Sequence, residues 1–136
     1  MKLMVRSKFK ISLLIVTLTC NVAFAIYPSG KVKIHNAKLQ SLSHEKLDRQ
    51  WFDYIDEYPE ILIPENKKYK IDQYCRYSME LDADGKIILD SIGLLKHRQN
   101  FQYNLKAIQF LRENPLVLKR KNLNKPVELE LIYESF

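Results

Sequence analysis

Residues 75–93 read CRYSMELDADGKIILDSIG, a sequence that predicts a β-hairpin. Apolar and polar side chains alternate through residues 75–81, a pattern typical of a strand with one buried face. The turn Asp82-Ala83-Asp84-Gly85 follows, with a glycine suited to a position of positive φ. Residues 86–95 then return as a second strand. Because its apolar residues fall on both faces, we expect this strand to be covered and central in its sheet.

Two segments have the apolar spacing of amphipathic helices. The first covers residues 43–58, with Ser43 as the expected N-cap, and Pro59 stops it. Its apolar stripe consists of Leu47, Trp51, Tyr54, Ile55 and Tyr58. The second covers residues 99–113 and ends before Pro115, with Asn100 as its cap. Its stripe consists of Phe101, Leu105, Ile108 and Leu111, with Ala107 beside them.

The chain closes with VELELIYE, residues 127–134, which alternate again and predict a third strand with glutamates on its solvent face. The order is therefore helix, strand, strand, helix, strand. Each helix has one apolar stripe, so the helices must cover a sheet. We predict an α+β fold: a two-layer sandwich of order α-β-β-α-β, with both helices on one face of a three-stranded antiparallel sheet.

The N-terminal 25 residues have the organisation of a secretory signal peptide. Four basic residues and no acid precede a short apolar run, which ends in Ala23-Phe24-Ala25. This predicts cleavage after Ala25 and a periplasmic product; an uncleaved segment would instead anchor the protein in the inner membrane. Residues 26–42 mix Pro, Gly and Lys, and we expect a flexible leader there, with a short strand at Val32 and Ile34 as the alternative. The folded domain is then 43–136.

The net charge and the number of cysteines argue against a nucleic-acid-binding protein and against a disulfide-linked one. The whole chain carries 22 basic and 16 acidic residues, net +6, but the signal holds four of the basic ones, so the exported chain is close to neutral at +2. We therefore expect no nucleic-acid partner, which would need a concentrated basic face. Cys75 is the only cysteine after residue 25 and lies in phase with Tyr77 and Met79, so we expect a buried, unpaired thiol.

No catalytic or metal-ligating pattern stands out. The three histidines share no ligand spacing, and Asp82-Ala83-Asp84-Gly85 lacks the Glu that closes a calcium loop. No Ser-His-Asp grouping, Gly-rich phosphate loop or carboxylate pair is evident. We expect no catalytic residue, no metal and no cofactor.

The order of elements resembles the C-terminal periplasmic domain of the TonB and TolA proteins. The residues that carry the resemblance are Asp84-Gly85-Lys86-Ile87 at the turn, Leu105-Lys106-Ala107-Ile108 in the second helix and Pro115 after it. Trp51 and Tyr58-Pro59 look more like TolA. The resemblance spans residues 43–135. It implies a non-enzymatic binding module of the cell envelope, an accessory of transmembrane transport that takes a protein or an extended peptide by strand addition.

Two features depart from that family. A TolA-like domain pairs the cysteine of this strand with one in the second helix, and residues 99–113 contain none. Energy transducers also carry a long spacer, whereas the predicted domain begins within about 20 residues of the cleavage site. Since an extended chain gains at most ~3.5 Å per residue, a tethered form would stay close to the inner membrane.

The resemblance implies that the last strand is an exposed edge that receives the partner. The predicted partner-binding residues are Val127, Glu128, Leu129, Glu130, Leu131, Ile132 and Tyr133. The other interpretation is that the glutamates protect this edge from aggregation. Two alternatives for the whole protein remain: a membrane-tethered TonB- or Tol-type component with an uncleaved anchor, and a secreted effector or inhibitor of small α+β fold. The oligomeric state is left open.

Overall fold

The computed structural model describes residues 28–57 and 71–135. The predicted signal peptide and the connection after Tyr58 lie outside these ranges, so cleavage after Ala25 stays a prediction. In chain order the elements are β1 (Ser29–His35), β2 (Ala37–Leu39), α1 (His44–Asp56), β3 (Ile71–Met79), a short 3-10 helix (Leu89–Ser91), β4 (Gly93–Arg98), α2 (Phe101–Glu113), β5 (Leu118–Arg120) and β6 (Val127–Ser135). None of the helices in the described ranges is long and apolar enough to span a membrane.

The α+β class with two helices and antiparallel strands is confirmed, but the three-stranded sheet is wrong. The main sheet has four strands in the order β1-β6-β3-β4, and β2 and β5 form a second, two-stranded sheet. The additional strand is β1. It pairs with β6 along its whole length, from Ser29 opposite Glu134 to His35 opposite Glu128.

Residues 29–39 are therefore not a flexible leader. Val32 is fully buried in the core, and Ala37 of β2 is buried with it. The alternative of a strand at Val32 and Ile34 is confirmed. The local pattern is short, with Val32 and Ile34 on either side of Lys33. These residues form a strand because their backbone groups pair with β6, which is distant in the sequence.

The first strand and the turn of the hairpin are confirmed, and the returning strand is not. Asp82 Oδ1 accepts the N–H groups of Asp84 and Lys86, each at 2.9 Å, and Gly85 has φ +84°. The chain then forms isolated bridges and the 3-10 helix before β4 begins at Gly93. All six residues of β4 are exposed and the strand lies at the end of the sheet. The expectation of a covered, central strand is wrong.

Helix α1 follows the prediction closely. Ser43 Oγ accepts the N–H of Lys46 at 3.2 Å, and Leu47, Trp51 and Ile55 are buried. The indole N–H of Trp51 donates to the carbonyl of Ile132 in β6 at 2.8 Å. This bond ties the helix to the middle of the sheet.

Helix α2 is capped as predicted but rotated relative to the predicted stripe. Asn100 Oδ1 accepts the N–H of Tyr103 at 2.8 Å. The buried residues are Tyr103, Ala107, Phe110 and Leu111. Phe101 and Leu105, expected in the core, are exposed. The two helices meet on one face of the main sheet, where the Trp51 ring lies edge-on to Tyr103 and Phe110 at centroid distances of 5.8 and 5.1 Å.

The prediction for Cys75 is confirmed. Its side chain is fully buried on the helix-bearing face of β3, and the thiol is free. Burial raises the pKa of the Cys75 thiol to about 12, so the group stays protonated at neutral pH. A protonated, buried thiol acts as a small apolar side chain and not as a nucleophile.

Candidate partner-binding edge

The predicted binding strand, β6, lies in the centre of the main sheet. It is hydrogen-bonded to β1 on one side and to β3 on the other, so the expectation of an exposed edge is wrong. Val127, Leu129, Leu131 and Tyr133 are buried; Glu128, Glu130 and Ile132 are half-buried on the opposite face. A peptide strand could not pair with β6 unless β1 or β3 were displaced.

The glutamates of β6 are engaged within the sheet. Glu128 Oε2 accepts from Nε of Arg76 at 2.6 Å and also forms an ion pair with the same guanidinium. Glu130 Oε2 lies 3.3 Å from Nε2 of His35. These carboxylates therefore hold neighbouring strands together on the face opposite the helices, and they are not arranged to select a basic peptide.

The β1 end of the sheet is closed by helix α1. The N–H of Val32 donates to Asp48 Oδ1 at 2.8 Å, and His44 Nε2 lies 2.5 Å from the Val32 carbonyl oxygen. A carbonyl only accepts, so this histidine nitrogen carries the proton. The helix also lies directly against the strand, because a Cβ on Gly30 would be 2.8 Å from Cα of Phe52. Side chains and backbone of α1 thus occupy the position of a further strand.

The β4 end is open. Among the strands of the described residues, β4 pairs with β3 alone. Within residues 28–57 and 71–135, no strand lies beside the N–H and C=O groups on the other side of β4, which is the arrangement that accepts an added strand.

The register shows which backbone groups point outward. Because the N–H of Val32 bonds to α1, Val32 and the opposite Leu131 form a non-hydrogen-bonded pair. Leu131 then directs its backbone groups towards Cys75 of β3, and Cys75 directs its own towards Leu131. Cys75 therefore faces away from His97, its partner in β4. It follows that His97 directs its N–H and C=O out of the sheet.

A bulge interrupts β4 next to this position. Lys96 is opposite Arg76 and Leu94 is opposite Tyr77, so Leu95 is the extra residue. Bulges at sheet edges change the direction of side chains and increase the local twist. Here the bulge places two exposed leucines side by side at the open edge.

Exposed apolar side chains are concentrated in the part of the chain that contains β4. Of the seven large apolar residues that the described ranges leave exposed, six lie between residues 88 and 105. They are Ile88, Leu89, Leu94, Leu95, Phe101 and Leu105. Leu94 is opposite Tyr77, whose hydroxyl donates to Asn104 Oδ1 of α2. Leu94 therefore lies on the same face of the sheet as α2, the helix that carries Phe101 and Leu105.

The β4 edge is also basic. Lys96, His97 and Arg98 are exposed, and none of them forms an ion pair with another residue of the described ranges. Lys96 and Arg98 face away from the helices, since their neighbour His97 is paired with the inward-facing Cys75. An apolar margin on one face and two cations on the other would suit a peptide that alternates apolar and acidic residues.

The described part of the chain offers little support for a metal site or for acid–base catalysis. There, no three His, Cys, Asp or Glu side chains lie close enough to hold a metal ion. Burial is the main cause that raises the pKa values of the Tyr77 and Tyr103 hydroxyls. Neither hydroxyl is therefore a candidate acid or base near neutral pH.

Sequence reasoning missed residues 94–98. The signal that could have identified them is the pair Leu94-Leu95 followed directly by Lys96, His97 and Arg98. Cations on a short strand are typical of a sheet edge that is protected from uncontrolled pairing. Leu94 and Leu95 also end the apolar run of residues 86–95, and that run predicts a covered strand.

Comparisons of the chain with protein-family models, with curated proteins and with solved structures gave no match. The resemblance to the TonB and TolA domains therefore stays a prediction.

Proposed function

We propose that the protein is a non-enzymatic, periplasmic protein-binding module that receives an extended peptide at the β4 edge. The observation that carries the proposal is the contrast between the two ends of the main sheet. The β1 end is closed by Asp48, His44 and the α1 backbone. The β4 end has an outward-facing backbone beside exposed apolar and basic side chains.

Affinity would come from main-chain hydrogen bonds and selection from side chains. The peptide would pair with the outward N–H and C=O of His97. Its residues on the helix-bearing face would contact Leu94, Phe101 and Leu105, and those on the other face would meet Lys96 and Arg98. The preferred peptide is thus apolar and acidic in alternation, whereas a glutamate-lined edge would have preferred a basic one.

The predicted signal peptide supports export, and the likeness to TonB and TolA supports a role as an accessory of envelope transport. If the segment before Ile26 stays attached, the same module would act as a membrane-tethered component. Both forms use the same edge, so they differ in location and not in mode of binding.

Photo-crosslinking tests the proposal. Benzoylphenylalanine placed at Leu95 in cells that export the protein is expected to capture a partner polypeptide, identified by mass spectrometry. The same probe at Lys31, an exposed residue of β1, is expected to capture nothing above background. Outer-membrane receptors or Tol components would support an envelope role, and host proteins would support a secreted effector.

A backbone variant makes the test specific. His97→Pro removes the outward N–H and is tolerated at an edge position, so the crosslink at residue 95 should disappear while the circular dichroism spectrum is unchanged. His97→Gln keeps the N–H and should retain the crosslink. Equal crosslinking in wild type and the proline variant would rule out strand addition at this edge.

A further inference from the structure

Leu123 is the most exposed large apolar residue of the described ranges. Its side chain is 83% exposed, and it lies in the turn between β5 and β6, separate in sequence from the apolar residues of the β4 edge. A single exposed leucine is ordinary on a protein surface. The surroundings of Leu123 are what distinguish it.

The turn is held in one shape by its own hydrogen bonds. Nε and Nη2 of Arg120 both donate to the carbonyl of Lys125, at 3.3 and 3.0 Å. Inside the turn, the N–H of Asn124 donates to Asn122 Oδ1 at 3.0 Å, and the N–H of Lys125 donates to the Asn122 carbonyl at 3.3 Å. Leu123 is therefore presented at the apex of a closed turn.

The base of the turn is fixed as well. Asn36, which has φ +62°, accepts the N–H of Lys121 on its carbonyl at 2.9 Å and donates from Nδ2 to the Pro126 carbonyl at 3.0 Å. One residue of the β1–β2 connection thus ties both ends of the turn to the domain.

The turn is surrounded by cations. Residues 114–127 contain four basic residues and no acid. Lys38 of β2 is directly opposite Lys119 of β5, a like-charge pair that opposes folding. The cations are Lys38, Lys119, Arg120, Lys121 and Lys125; all are exposed, and none forms an ion pair with another described residue. We call these five residues and Leu123 the basic tip.

Two acids lie close to part of the basic tip. Asp82 and Asp84 share a cavity of about 460 Å³ with Lys119 and Arg120. Asp82 Oδ1 already accepts two N–H groups of its own turn. Lys121 and Lys125 are not among the residues that line the cavity, so the apex keeps its positive charge.

We propose that the basic tip binds the surface of an anionic lipid bilayer, with Leu123 in the headgroup region and the five cations around it against lipid phosphates. An apolar side chain within a group of cations is the combination by which proteins attach to anionic bilayers. A soluble anion would satisfy the cations and leave Leu123 in water, whereas a bilayer accommodates both. This site is independent of the proposed peptide edge.

The basic tip is also remote from Ser29, the first residue of β1. Strand β1 carries the chain from Ser29 to His35, about 20 Å, before it reaches Asn36 at the base of the turn. A membrane contact through Leu123 is therefore a different attachment from any made through residues before Ser29.

Tryptophan fluorescence of the full chain, in the form isolated from exporting cells, tests the proposal. The Leu123→Trp variant should show a blue shift, and quenching by brominated lipids, with vesicles of phosphatidylethanolamine and phosphatidylglycerol. It should show neither with phosphatidylcholine vesicles. The native Trp51 is fully buried and gives a constant background. An N-terminal segment inserted in both kinds of vesicle would not produce this difference.

Variants that remove cations measure how much the charge of the basic tip contributes to vesicle binding. Lys121→Gln combined with Lys125→Gln should lower the vesicle partition coefficient about 10- to 30-fold at ~0.1 M salt, since each cation near an anionic surface contributes about fivefold. The matched control, Lys31→Gln with Arg49→Gln, removes the same charge from exposed positions of β1 and α1 outside the basic tip and the peptide edge. It should change binding by no more than about threefold, because charges more than ~10 Å from the bilayer surface are largely screened at ~0.1 M salt. Leu123→Asn should weaken binding about tenfold, because the variant no longer buries an apolar side chain in the headgroup region.

Three results would overturn the proposal. They are equal partition into anionic and zwitterionic vesicles, equal loss in the tip and control pairs, and capture of a soluble polyanion while the fluorescence of the Leu123→Trp variant does not respond to vesicles. The last result would assign the cations to an acidic macromolecule.

Discussion

Replacing Val32 with alanine tests whether the segment before the first helix belongs to the core. Val32 is fully buried, opposite Leu131, and its N–H is bonded to Asp48. Each buried methyl contributes about 0.8 kcal/mol, so the loss of two gives ~1.6 kcal/mol. The cavity left in a packed core raises the expected decrease in the free energy of unfolding to about 2–3 kcal/mol.

Urea denaturation followed by circular dichroism measures this change. With a slope of about 1–2 kcal/mol per molar urea for a domain of this size, the midpoint should fall by roughly 1–3 M. Lys31→Ala is the control: it lies on the same strand but is exposed, and should change stability by no more than ~0.5 kcal/mol. If Val32→Ala unfolded at the same urea concentration as Lys31→Ala, residues 29–35 would not be part of the folded core.

Further predictions concern the core, the turn and the buried thiol. Trp51→Phe removes the bond to the Ile132 carbonyl and part of the ring packing, and should lower the free energy of unfolding by about 2 kcal/mol in urea titrations. Gly85→Ala should lower the free energy of unfolding by about 1–3 kcal/mol, because φ is +84° and the new Cβ would meet a backbone oxygen. In Gly93→Ala the new Cβ enters open space, so this control should be neutral or slightly stabilising in thermal denaturation. Burial raises the pKa of Cys75 from 9.0 to about 12, so the unfolded thiol ionises first and stability should fall as pH rises from 9 towards 12. Urea midpoints measured across that range should fall less steeply in Cys75→Ala.

The elements whose signals are local were predicted from the sequence. Ser43 and the Leu47, Trp51 and Ile55 stripe define α1, and the structure shows the cap bond and the burial that they indicate. The turn at Gly85 is equally local, because a hairpin there needs a residue that adopts positive φ.

Strand β1 and the rotation of α2 depend on distant residues. Residues 29–35 have one fully buried side chain, and they form a strand because β6 and α1 satisfy their backbone groups. In α2 the predicted stripe differed from the observed one because Tyr103 is buried. Its hydroxyl lies 3.3 Å from the carbonyl oxygens of Gln73 and Leu131, partners that no helical pattern indicates.

The binding edge was misplaced for a related reason. The alternation of apolar and polar residues in VELELIYE indicates that one face of the strand is buried and the other is more polar. It carries no information about the two edges, which are perpendicular to that face. A half-exposed central strand and a half-exposed edge strand therefore have the same pattern. The neighbours of β6 come from residues 29–35 and 71–79, far away in the chain.

Hydrogen exchange resolved to single amides by NMR tests whether β4 is the open edge of the sheet. The N–H of His97 should exchange at close to the rate of an unstructured peptide, because it points out of the sheet. The N–H groups of Leu131, paired with β3, and of Val32, bonded to Asp48, should be protected to near the global stability of the domain. Strong protection of the His97 amide, or fast exchange at Leu131, would show that β4 is not the open edge.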